Sequence, residues 1–173
     1  MIKYFILLFV FNFSLAQSTL MINAEKSNIN YSAKHVLHAW EGKNNNIKGV
    51  IIFDGSISTI AIAAKVVDFD SGNSGRDSHS LEVLEALKFP NIKFYSDRVN
   101  SKGNAIIFEG EIEFHGEKKP IKVLASIEES DENIKINGKF QIIPTEFSLT
   151  LPSFMLIEME DYLNISFSLQ FDK

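Results

Sequence analysis

FEGEIEFHGEKKPIKVLASI, residues 108–127, decides the fold of this chain. Early in it Phe108, Gly110, Ile112 and Phe114 alternate with Glu109, Glu111 and Glu113, and late in it Ile121, Val123, Ala125 and Ile127 recur at the same interval. Period two is the repeat of a β-strand, which sends one set of side chains to a core and the other to water. HGEKKP (115–120) between them carries a glycine and a proline, the punctuation of a turn. A link that short joins antiparallel neighbours, because a parallel crossover takes about a dozen residues or more.

The same alternation runs through IKINGKFQI (134–142) and LNISFSLQF (163–171), and more weakly through 28–38, 47–53, 57–69 and 92–99. That makes about eight strands, separated by turn signals at Asp54 and Gly55, at 100–104 and at 129–133. Such a meander has one apolar face, so it must pack on a second sheet or close into a barrel, and closure also removes exposed edges. The fold class is all-β.

Two segments break the rhythm. SLEVLEALK (80–88) spaces Leu81, Leu84 and Leu87 at helical intervals, with Pro90 just beyond, which predicts a helix over about 78–88 capped by Asp77 or Ser78. The connection 145–162 is greasy, holding Phe147, Leu149, Leu151, Phe154, Met155, Leu156, Ile157 and Met159. A second helical turn near 152–160 fits it, as does a lid over an apolar cavity, because connections are otherwise polar and exposed.

MIKYFILLFVFNFSLA (1–16) sets a charge at Lys3, an apolar run and the small-residue site SLA in the order of a cleavable secretory leader. The run meets Gln17, Ser18 and Thr19 well short of the about 20 apolar residues of a spanning helix. No later segment approaches such a span, so no transmembrane segment is expected after cleavage. Removing 16 residues from 173 leaves 157, one domain over 17–173. The chain has no cysteine, so neither disulfides nor an acylated mature N-terminus is expected. With Lys3 gone, 16 basic stand against 22 acidic residues, a balance of −6 that makes nucleic acid an improbable partner.

The densest polar stretch is VDFDSGNSGRDSH (67–79), with Asp70, Arg76, Asp77 and His79. It lacks the alternating acids and closing Glu of a calcium loop, and no nucleophile elbow or cysteine marks it as catalytic. A structural reading fits better, with the cap described above and Arg76 pairing with a carboxylate to pin the loop. His35 and His38 stand three apart on one predicted strand, hence on opposite faces, and no zinc pattern occurs. Neither a metal nor a cofactor is implied.

DSGN (70–73), RDSH (76–79) and FPNIKFYS (89–96), followed by GEIEFHGEKKP (110–120) and preceded by YSAKH (31–35) and Gly49, resemble the YceI-like family of exported, lipocalin-like proteins. Ser80 follows His79 where the family usually has leucine. The resemblance implies an antiparallel, eight-stranded lipocalin-like barrel with a helix packed at one end, enclosing an apolar pocket for an isoprenoid such as a polyprenyl lipid or a quinone. It also implies a non-enzymatic carrier, periplasmic or secreted, whose partner is an amphiphilic lipid, and it leaves a homodimer open. Pocket lining is then expected from Phe94, Phe108, Ile112, Phe114, Phe140, Ile142, Phe167 and Leu169, with Leu149, Phe154 and Met155 near the mouth. The alternatives are a filled-core structural or envelope-stress protein, and a hydrolase-like site at residues 76–79.

Overall fold

The computed structural model describes residues 18–173. The predicted leader, residues 1–16, lies outside the described residues.

Twelve strands form, all paired antiparallel: β1 (Ser18–Met21), β2 (Asn28–His35), β3 (His38–Asn44), β4 (Ile47–Phe53), β5 (Ile57–Lys65), β6 (Asn91–Lys102), β7 (Ala105–Phe114), β8 (Glu117–Glu129), β9 (Asn133–Ile142), β10 (Ser153–Phe154), β11 (Ile157–Glu158) and β12 (Leu163–Asp172). Ten make one curled sheet in the order β1-β4-β5-β6-β7-β8-β9-β12-β2-β3, and β10 and β11 pair only with each other. The expected count of about eight is therefore low. The four-residue β1 shows no alternation, and the run read as one strand over 28–38 is folded into β2 and β3 by a turn at Val36 and Leu37.

The sheet closes on itself as a lipocalin-like barrel does. Beyond β1, which pairs with β4, Ile22 bridges to Phe171 of β12 and the Asn23 N–H donates to the Gln170 carbonyl at 2.8 Å. At the other edge Lys43 of β3 exchanges backbone bonds with Asp70 at 2.8 and 2.9 Å. Asn44, wholly buried, donates from Nδ2 to the Lys65 carbonyl at 3.1 Å and accepts the Asn46 N–H at 2.7 Å. Each edge of the sheet is thereby met at one point, by Phe171 beyond β1 and by Asp70 beside β3, which shortens the backbone left open to another strand.

One end of the barrel is solid. Ile47, Ile51, Ile57, Ile106, Ile134, Ile136 and Phe171 fill it from inward positions of five strands. A second cluster of Ile112, Phe114, Ile142, Phe147 and Leu149 lies toward the other end, under α1 and the connection after β9.

The helix α1 spans Ser74–Val83 rather than 78–88. Asn73 is its cap, accepting the Arg76 N–H at 3.0 Å, while Asp77 turns back to accept the Ser71 N–H at 3.1 Å and is not available as a cap. Glu85, at φ +44°, ends the run, so Leu87 misses the helical face and stands in solvent. No helical turn forms over 152–160. The chain there makes the β10–β11 hairpin, with Met155 and Leu156 at φ +53° and +66°, and a short 3-10 turn lies earlier, at Pro144–Phe147.

Candidate functional site

Between the filled end and α1 lies a half-enclosed cavity of about 410 Å³, within the about 300–1,000 Å³ usual for small-molecule sites. Phe108, Val123 and Leu169 form its floor, since they also belong to the packed cluster beneath. Phe94, Ile112, Phe140 and Phe167 stand in the wall, and Phe114, Ile142, Leu149 and Phe154 stand toward the open end. Ten of the eleven residues expected to line a pocket thus face it. Met155 does not: it occupies the tip of the β10–β11 turn and is 73% exposed.

The wall also contains residues that the sequence did not mark as lining. Ala33 of β2, Ile60, Ile62 and Ala64 of β5, and Leu81 and Leu84 of the helical segment all border the cavity. Their period-two or helical spacing was visible, but alanine carries little weight in a search for lining. Glycine matters here too. Gly138 sits directly across from Phe167, and a Cβ on it would lie 2.5 Å from the ring, so the ring lies flat on the bare backbone of β9. Gly42 receives Tyr31 from β2 in the same way, at 2.4 Å. Small residues set beneath large cross-strand partners keep the bore open.

Polar groups gather where α1, β2 and β3 meet at the open end: Tyr31, His35, His38, Trp40, Arg76, Asp77, His79 and Ser80 all border the cavity. Tyr31 has its phenol pKa pushed up, first by burial and then by the Asp77 carboxylate, with Arg76, Ser80 and Trp40 pulling the other way. Asp70 lies apart, its Oδ1 accepting the Gly72 N–H at 2.7 Å and its backbone bridging to Lys43. The expected Arg76–carboxylate pair does not form: among the described residues no carboxylate oxygen is within 4 Å of its guanidinium. The loop is pinned instead by the Asp70, Asn73 and Asp77 bonds to backbone, which leaves the guanidinium free to face the cavity.

His35 and His38 are cross-strand partners with rings 5.5 Å apart, not residues on opposite faces, because the two-residue turn between them folds both to one side. Buried His35 donates from Nε2 to the Ile157 carbonyl at 3.0 Å and accepts the Leu37 N–H on Nδ1 at 3.3 Å, so it ties the β10–β11 hairpin to the β2–β3 turn. At the far side of the open end, His115 makes a second tie. Its Nδ1 lies 2.9 Å from the Phe147 carbonyl and its Nε2 2.9 Å from Glu85 Oε2, joining the β7–β8 turn to the helix exit and to the connection after β9. Among the described residues no three His, Asp or Glu converge as metal ligands. Nor do Arg76, Asp77 and His79 bond to one another: Asp77 serves the loop and His79 lies 3.7 Å from Glu82. The arrangement can hold a molecule that is apolar along most of its length and polar at one end.

A family model described as the YceI-like domain matches residues 20–171. A UPF0312 protein of Shewanella denitrificans is 29% identical over 106 residues, 57% of this chain and 56% of that protein. The chain thus spans about half the length of that curated relative. Among solved structures, BcnA of Burkholderia cenocepacia superposes with a TM-score of 0.78 at 17% identity, covering 86% of this chain and 98% of that one. A polyisoprenoid binding domain from Saccharophagus degradans, implicated in plant cell wall breakdown, gives 0.71 at 13% identity over 88% and 97% of the two chains. At these identities the structural likeness speaks to the fold, a barrel of the kind described above.

Proposed function

The chain belongs to the YceI-like family, and from that premise we propose that it is an exported, non-enzymatic carrier that holds an amphiphilic isoprenoid, a polyprenyl lipid or a quinone, in the barrel cavity. The observation that carries this reading is the distribution of chemistry along the cavity, aliphatic and aromatic from Phe108 and Leu169 upward, with most of its polar lining gathered around Tyr31, His35, Arg76, Asp77 and His79 and only Lys93, Thr150 and Ser153 elsewhere. Burial of an extended hydrocarbon supplies the affinity at about 25 cal/mol per Å² of apolar area. The polar end then needs only to keep the head group hydrogen-bonded, since an unpaired buried polar atom would oppose binding. The fold of the Saccharophagus degradans domain and that domain's polyisoprenoid binding support the choice of ligand. Export rests on the leader pattern of residues 1–16, and makes the protein periplasmic or secreted, able to store the lipid or pass it between membranes.

A filled-core protein acting through its surface has no use for a cavity of this size. The test is native mass spectrometry and solvent extraction of the purified protein, followed by titration with a polyprenol and with a polyprenyl quinone. One bound molecule per chain is the expected result. No co-purifying lipid together with no uptake of either ligand would overturn the reading.

A further inference from the structure

The β2–β3 hairpin overruns its neighbour: β2 pairs with β12 only from Asn28 to Ser32, so Ala33 to His35 and the turn beyond stand clear of the sheet on that side. The β10–β11 hairpin flanks this projection. Besides the His35 bond to Ile157, the Glu160 N–H donates to the Lys34 carbonyl at 2.8 Å, and the Phe154 ring meets that of His35 edge-on with centroids 6.2 Å apart. The two turns end side by side in Val36 and Leu37 and in Phe154, Met155, Leu156 and Ile157, which are 43% to 100% exposed.

Turn geometry does not ask for these side chains. Met155 and Leu156 are both left-handed, at φ +53° and +66°, in a two-residue hairpin where Asn-Gly is the preferred pair. Six residues are also too few for a stable protein interface, which takes about 20–30 a side, and a turn tip is convex. A bilayer needs neither area nor shape; it takes up apolar tips to the depth of the headgroup boundary. The charges suit it, since residues 35–40 and 153–157 contain no carboxylate and Lys34 is held by Glu160 at 2.9 Å behind the tips. The patch runs into the cavity without a break, for Phe154 belongs to both and Ser153, His35 and His38 line the opening beside it.

We infer that the paired tips are a membrane-docking surface, which seats the open end of the cavity against a lipid bilayer. It rests on the carrier reading for its purpose, and the experiment separates the two.

The chain has no cysteine, so single Leu37→Cys, Leu156→Cys and Leu124→Cys variants of the full chain can each carry one environment-sensitive fluorophore. Leu124 is 61% exposed on the outer wall, across from Ile107, and serves as control. With phosphatidylcholine vesicles, the labels at 37 and 156 brighten and shift to the blue, and the label at 124 does not. Residues 1–17 are common to all three, so vesicle capture by that stretch alone cannot produce the difference. Met155→Asn with Leu156→Gly keeps the hairpin, and the label at 37 then needs about tenfold or more lipid for the same shift. Polyprenol uptake by that variant is unchanged.

Equal responses at 124, or none at 37 and 156, would overturn the inference. So would a blue shift that grows with protein concentration in the absence of vesicles, which would assign the tips to a second copy of the chain. Insertion without polyprenol uptake would remove the carrier reading and leave docking standing, whereas uptake without insertion would do the reverse.

Discussion

Gly138→Ala asks a single methyl group to reveal how the cavity is held open. The new Cβ would lie 2.5 Å from Phe167 Cζ, 2.9 Å from its Cε1 and 3.0 Å from Ala125 Cβ. Ordinary contact begins near 3.4 Å, so the ring must retreat by about 0.9 Å. Overpacking of that kind costs about 1–3 kcal/mol, against about 0.4–1 kcal/mol gained because alanine restricts the unfolded chain. The steric effect wins, and the net loss is about 1 kcal/mol. Phe167 lines the cavity, so a ring pushed off Gly138 toward it also narrows the site. In a Phe167→Ala background the ring is gone and only the 3.0 Å approach to Ala125 Cβ remains, so Gly138→Ala costs clearly less there than in the parent. Urea unfolding of the four proteins measures both effects, and contacting residues are where such non-additivity is expected. A Gly138→Ala effect of the same size in both backgrounds would refute the idea that this glycine exists to let Phe167 lie against the wall.

Ala64→Phe, at a small position in the cavity wall, should abolish polyprenol uptake while thermal unfolding changes by less than about 1.5 kcal/mol, because the ring occupies space that is already there. His115→Ala removes the tie between Glu85 and the Phe147 carbonyl; it should cost about 1–3 kcal/mol and speed amide exchange at 84–89 and 144–149 ahead of the strands. Tyr31 has a raised pKa, so the folded state holds that proton more tightly than the unfolded one. Its contribution is full below the ordinary value of 10.0 and is lost as pH rises through the folded pKa. Tyr31→Phe should flatten that alkaline decline, and Asp77→Asn should bring the Tyr31 phenolate absorbance in at lower pH than in the parent.

Eight of the ten strands in the main sheet were legible because their inward positions are aliphatic or aromatic and their outward ones polar. β3 escaped notice because its inward set contains Gly42 and Asn44, buried for packing and hydrogen bonding and invisible to a hydrophobic count. The helix start was misplaced because nearly every position in DSGNSGRDSHS (70–80) can cap a helix. The choice of Asn73 follows from Asp77 being engaged by Ser71, a bond that only the folded loop defines. The β10–β11 turn was misread for the opposite reason: Met155 and Leu156 give no turn signal, and their left-handed backbone is held in place by the strand pair and by His35.

Greasy inward residues say that a barrel has a core, but they do not say where the core stops. The filled end is built from β-branched isoleucines such as Ile47, Ile51, Ile134 and Ile136, which are fully or almost fully buried and leave no space. Higher on the same strands the inward positions change character: β9 passes from Ile134 and Ile136 to Gly138, while β5 passes from Ile60 and Ile62 to Ala64. β2 presents Ala33 and β3 presents Gly42 at inward positions bordering or backing the opening. The hollow is therefore encoded by where large residues give way to small ones across neighbouring strands. That pattern emerges only once the register is known, because Gly138 takes its meaning from Phe167 opposite and Gly42 from Tyr31.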